Sequence, residues 1–161
     1  MVGDNGGNDA MMDMQWIKLL LNFILAAGGT LGFGVLFGIP NKHYVACAID
    51  GAVGWTVYEM ALLCGTTSVQ ATLIATIPLA LLARIFAIKR KAPVTVFLLC
   101  GIFPLVPGAG IYYTAYYFIQ GNNELFVQSG TNTFKIAVAL AVGIALVLGL
   151  PMPKARMQRE K

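Results

Sequence analysis

The sequence predicts an all-α membrane protein, a bundle of five transmembrane helices whose fourth is broken at a Pro-x-x-Pro-Gly element. Three observations predict it. Hydrophobic residues make up 58% of the chain and charged residues 11%, where soluble domains run at roughly 45–50% and about 25%. Mean hydropathy is +0.74. The apolar residues gather in five runs, each close to the ~20 residues that carry a helix across a bilayer. A soluble fold this poor in charge could not cover its own surface, so most of that surface must face lipid. Disorder is excluded by the same composition, because apolar residues dominate everywhere except at the two ends.

Residues 1–15 form a polar N-terminal tail, expected to be short and mobile. Asp4, Asp9 and Asp13 with no Lys or Arg are the reverse of the basic start of a signal peptide. The transmembrane domain, residues 16–151, holds the predicted spans Trp16–Phe37, Tyr44–Gly65, Ser68–Ile88, Pro93–Phe118 and Thr131–Leu150. Gly38-Ile39-Pro40-Asn41 and Gly65-Thr66-Thr67 are turn signals between spans, and Pro151 with Pro153 ends the last one. Residues 152–161 are a basic tail. Pro78, alone inside the third span, predicts a kink. Gly28 with Gly32, Gly34 with Gly38 and Ala139 with Gly143 have the four-residue spacing that lets helix backbones approach closely.

Charge sets an orientation. Lys42, Arg84, Lys89, Arg90, Lys91, Lys154, Arg156, Arg159 and Lys161 fall on one side of a five-span chain, leaving only Lys18 and Lys135 for the other. The positive-inside rule then predicts a multi-pass plasma (inner) membrane protein with its N-terminus outside and its C-terminus in the cytoplasm. The net charge of +4 belongs to these short basic links, so no nucleic-acid partner is expected. Cys47, Cys64 and Cys100 have no metal-ligand or disulfide spacing and read as small buried residues. No metal or cofactor is expected.

The fourth span carries Phe103-Pro104-Leu105-Val106-Pro107-Gly108-Ala109-Gly110 in its middle. Pro104 and Pro107 lack N–H groups and clash with the preceding turn, and Gly108 and Gly110 permit backbone angles that other residues resist. Two half-helices are predicted. Freed backbone groups in lipid are costly, so the break must be buried in protein or line a watery cavity. The second half-helix would aim free N–H groups and a positive dipole end at a carboxylate, and free carbonyls near Phe103 and Leu105 suit an ammonium group or a cation. Broken helices of this kind build substrate sites in secondary transporters, although neighbouring helices can also satisfy a simple proline kink. Tyr112 and Tyr113 follow the break and would line the pathway, whereas Tyr116 and Tyr117 read as an interfacial aromatic belt.

Asp50 and Glu59 lie inside the second span, where ionisable groups mark pathways, proton relays or structural ion pairs. They are the candidates for ion or proton coupling, together with Arg84, the expected partner of Asp50. Lys18 or Lys135 is the expected partner of Glu59. At 100° per residue the two acids point in nearly opposite directions. Span two should therefore be buried on both faces, which predicts a homo-oligomer or a partner subunit.

Gly32-Phe33, Phe37, Pro40, Gly51, Gly54, Pro104 through Pro107-Gly108, and Thr131-Asn132 resemble the threonine/serine exporter family. More closely, the chain resembles its small, separately encoded membrane subunit, from the first span to Pro151. The resemblance implies an exporter of small carboxylates, threonine and serine in some members and dicarboxylates such as succinate in others. It also implies a larger partner subunit that completes the membrane bundle and adds a cytoplasmic domain. It adds Asn132 to the expected substrate-binding set of Pro104, Pro107, Gly108, Gly110, Tyr112 and Tyr113, whereas Asp50 and Glu59 lie outside its pattern. No phosphate-binding Gly-rich loop with Lys is present, so transport would draw on an ion gradient. A non-transporting scaffold subunit is the competing class. An intramembrane enzyme is disfavoured, because neither Gly-x-Gly-Asp nor His-Glu-x-x-His occurs.

Overall fold

A computed structural model describes residues 6–151, all helical apart from short links: α1 (Gly6–Leu36), a 3-10 turn at Asn41–His43, α2 (Tyr44–Leu63), α3 (Ser68–Arg90), α4 (Val94–Ile102), a 3-10 turn at Phe103–Leu105, α5 (Gly108–Ile119) and α6 (Asn123–Gly149). Four helices are long and apolar enough to cross a membrane, within Trp16–Leu36, Asn41–Leu63, Ser68–Arg90 and Asn123–Gly149. The pair Val94–Leu105 and Gly108–Ile119, bent by 53° at the break between them, is long and apolar enough only when taken together, and counts as a fifth span if read as one. The basic tail and its four cations lie outside the described residues.

α1 begins at Gly6, ten residues ahead of the predicted span. α3 starts with a capping box, the Thr67 hydroxyl taking the Gln70 N–H while the Gln70 side chain takes the Thr67 N–H. It runs unbroken through Pro78. Gly65 (φ +83°) and Gly121 (φ +72°) end α2 and α5 in the left-handed region that only glycine enters freely.

α2 is the hub, packing on α1, α3 and α4, while α3 packs in turn on α6. The contacts are made at small residues, but not all of those the spacing predicts. A side chain on Gly51 would strike Thr30 of α1, one on Gly54 would strike Leu79 of α3, and one on Gly143 would strike Thr76 of α3. Gly28 and Gly32 touch nothing among the described residues, so their face of α1 stays open. Gly38 serves a turn instead, at φ +64°. Cys47 and Cys100 are buried as expected, but Cys64 at the end of α2 is exposed.

α5 differs from the rest. It packs on α6 and buries no residue. α3 and α6 run in the same direction, because Arg84 near the C-terminal end of α3 bonds Val147 and Leu150 at the end of α6. The chain therefore leaves α3 at one end of the bundle and enters α6 at the other, and α4 with α5 makes that crossing once.

Candidate functional site

The break in the fourth span follows from its prolines. Pro104 sits at the start of a 3-10 turn, where no N–H is needed. Val106 is extended (φ −63°, ψ 129°). Pro107 (φ −76°, ψ 58°) closes an inverse γ-turn in which the Gly108 N–H donates to the Val106 carbonyl at 2.7 Å. Helical bonding resumes only when the Ile111 N–H reaches the Pro107 carbonyl at 3.0 Å. The amides of Ala109 and Gly110 are left without an acceptor among the described residues, as the first turn of a helix requires.

Two expectations for this element need correction. Gly108 and Gly110 lie in α5 without positive φ, so neither uses the backbone freedom that glycine permits. Their smallness is used for space. A side chain on Gly110 would strike Thr133 of α6, so this glycine lets α5 and α6 close together, while Gly108 borders open space. The Phe103 carbonyl is not free, because it accepts from the Val106 N–H at 3.2 Å. Among the described residues, the Pro104 and Leu105 carbonyls accept no hydrogen bond. The Phe103 ring stacks on Phe33 of α1 with centroids 3.8 Å apart, which fixes the break against the bundle.

The break opens into a crevice of about 570 Å³ between α2, α3 and α6. Six of the seven expected substrate-binding residues line it: Pro104, Pro107, Gly108, Gly110, Tyr113 and Asn132. Tyr112 does not. It is 63% exposed and meets Tyr113 edge-on at 5.4 Å, because consecutive positions on a helix point about 100° apart. Sequence reasoning missed Trp55, Tyr58, Thr72, Ser129 and Thr133, which also line it. The signal for the α6 residues was available, since Ser129, Asn132, Thr133 and Ile136 recur at i, i+3, i+4 and i+7 on one helix face. Their hydroxyls are already ordered: Thr133 donates to the Ser129 carbonyl at 2.8 Å and Ser129 to the Gly110 carbonyl at 3.5 Å. On the far side of the α5–α6 hairpin lies an almost wholly apolar groove of about 740 Å³, with Ile111, Phe118 and Phe134 among its walls.

The three ionisable candidates are not brought together. Asp50 is fully buried, and neither carboxylate oxygen has a hydrogen-bond partner among the described residues. It faces Gly101 of α4, where a side chain would strike its Oδ2. The expected Asp50–Arg84 pair does not form. Arg84 instead donates from both terminal nitrogens to the carbonyls of Val147 and Leu150, because the unbonded carbonyls at a helix end are a ready acceptor for a planar fork of N–H groups. Glu59 accepts from Asn22 Nδ2 rather than from a lysine. Lys18 borders the same hollow, and Lys135 lies in a different one, on α6.

Over residues 22–149 the sequence matches the family described as Threonine/Serine exporter, ThrE. It is also 28% identical over 153 residues to an uncharacterized protein of Haemophilus influenzae, covering 90% of this chain and 50% of that protein. The chain thus spans about half the length of this relative. No solved structure matches it. The family match runs from the middle of α1, through the broken span and its crevice, to the end of α6, and the chain belongs to the threonine/serine exporter family.

Proposed function

We propose that the chain is a membrane subunit of a secondary exporter of small carboxylates, with threonine and serine as substrates, acting with a larger partner subunit and not as an enzyme. One observation carries this reading: the free amides of Ala109 and Gly110 stand at the first turn of a half-helix whose Gly108, Ala109 and Gly110 line a crevice inside the bundle. Two amide donors at the positive end of a helix suit a carboxylate. The unbonded carbonyls of Pro104 and Leu105 are close in the chain and suit an ammonium group. Asn132 and Tyr113 add polar groups from the facing walls. The same device, a half-helix end at a break in a span, forms substrate sites in secondary transporters.

The partner is supported by what is left uncovered. α5 buries no residue, and the chain spans about half the length of its Haemophilus influenzae relative. Orientation follows the cations, with Lys89, Arg90 and Lys91 at the cytoplasmic end of α3 and the N-terminus outside. Asp50 is the proposed proton-coupling residue, because a fully buried carboxyl without a donor is a group that can hold a proton.

Counterflow of labelled threonine, serine and succinate in membrane vesicles tests the reading. Gly108 borders open space, so Pro107→Ala combined with Gly108→Leu should leave the chain in the membrane and abolish threonine counterflow. Undiminished counterflow by that variant would favour the scaffold function.

A further inference from the structure

Lys18, Asn22 and Glu59 border a hollow of about 300 Å³ between α1 and α2, at the end of the bundle remote from Lys89–Lys91. At about 30 Å³ per liquid water, that is space for a small solute and its hydration. Asn22 also borders a second hollow of about 330 Å³, whose walls include Phe33, Trp55 and Pro104. Trp55 and Pro104 in turn border the crevice at the break. Three separate hollows, each sharing lining residues with the next, thus lie between the broken helix and the Lys18–Glu59 end. The Asn22–Glu59 hydrogen bond stands at the junction of the first two.

We propose that the hollow bordered by Lys18, Asn22 and Glu59 is a second substrate subsite on the pathway, built for the zwitterion of an α-amino acid. The inference rests on the exporter reading and deepens it by naming the charge type that the path accepts. Glu59 has one oxygen engaged by Asn22, and a carboxylate offers about four acceptor positions. Its free lone pairs suit a substrate ammonium group. Lys18 is exposed along the same wall and brings three donors on a flexible stem to the substrate carboxylate. A dicarboxylate could use Lys18 but would meet Glu59 with like charge. Glu59 thus selects amino acids over dianions, a choice that the amides at the break, which suit any carboxylate, cannot make.

The test uses Glu59→Gln placed at the chain's own locus, with transport measured from each face of right-side-out and inside-out vesicles. Gln keeps an acceptor for Asn22 and removes only the charge. From the Lys18–Glu59 face, the half-saturating threonine concentration should rise about tenfold, the size of one charge-assisted contact, and be unchanged from the opposite face. Succinate flux relative to threonine should rise, and Glu59→Asp should restore the wild-type preference. If Glu59→Gln lowers the amount of chain in the membrane, Lys18→Gln, at an exposed side chain, must raise the same half-saturating concentration. Wild-type transport combined with unchanged half-saturation on both faces in these variants overturns the subsite alone. A wild-type protein that moves neither threonine nor succinate overturns the exporter reading instead.

Discussion

The α2–α3–α4 core and the α5–α6 hairpin solve different problems with the same residue types. In the core, glycines are filled by their neighbours: Gly51 by Thr30, Gly54 by Leu79 and Gly101 by Asp50. Alanines at 46, 52, 75, 80 and 83 are buried to nearly nothing. In the hairpin, Gly108 borders open space, and Tyr112, Tyr113 and Tyr116 are exposed. The junction at Gly143 and Thr76 joins the two regions. Close approach of backbones through small residues is how membrane helices gain packing without a hydrophobic driving force. The core has taken that gain within this chain. The hairpin has taken only part of it, where Gly110 is filled by Thr133.

The largest expected effect breaks the junction. In Gly143→Leu the new side chain would meet the Thr76 side chain and approach the Leu73 carbonyl, neither of which can swing away. Overpacking of this kind costs about 1–3 kcal/mol or more, so the detergent-solubilised variant should aggregate at a clearly lower temperature than wild type. Gly108→Leu, the same substitution in the open region, should leave that temperature unchanged. Equal losses in both would erase the contrast between core and hairpin. A smaller effect is expected at Asp50, where Asn has nearly the same shape and no partner is given up. Asp50→Asn should change stability by less than about 1 kcal/mol while uncoupling threonine efflux from an imposed pH gradient. Retained coupling would leave Asp50 as a structural residue.

The sequence showed the broken span clearly because its cause is local. Pro104 and Pro107 remove helix hydrogen bonds wherever they occur, and the 53° bend between the half-helices lies where they stand. The crevice was legible only from the side of the break. Trp55, Tyr58 and Thr72 carry no local mark of a site, and only the packing of α2 and α3 brings them to it. The charge partners were misread for a related reason. Opposite charges were matched by depth, but depth does not specify helix faces. Arg84 faces the carbonyl end of α6, whereas Asp50 faces Gly101 of α4. The role of Gly110 was likewise hidden, because its crowding comes from Thr133, distant in the chain.

The smallest effect sharpens the contrast inside the hairpin itself. Tyr112 and Tyr113 are neighbours in sequence, share an edge-on contact at 5.4 Å and are both largely exposed. Only Tyr113 reaches the crevice at the break. Removing one hydroxyl that contacts a bound carboxylate costs about 0.5–1.5 kcal/mol, so Tyr113→Phe should raise the half-saturating threonine concentration several-fold in counterflow. Tyr112→Phe should leave it at the wild-type value, since its hydroxyl lies on the face turned away from the crevice. If the two variants behave alike, substrate does not sample the break from the side of Asn132 and Trp55. If Tyr112→Phe alone is impaired, the outward face of α5 is the transport path, and its other wall must come from another chain.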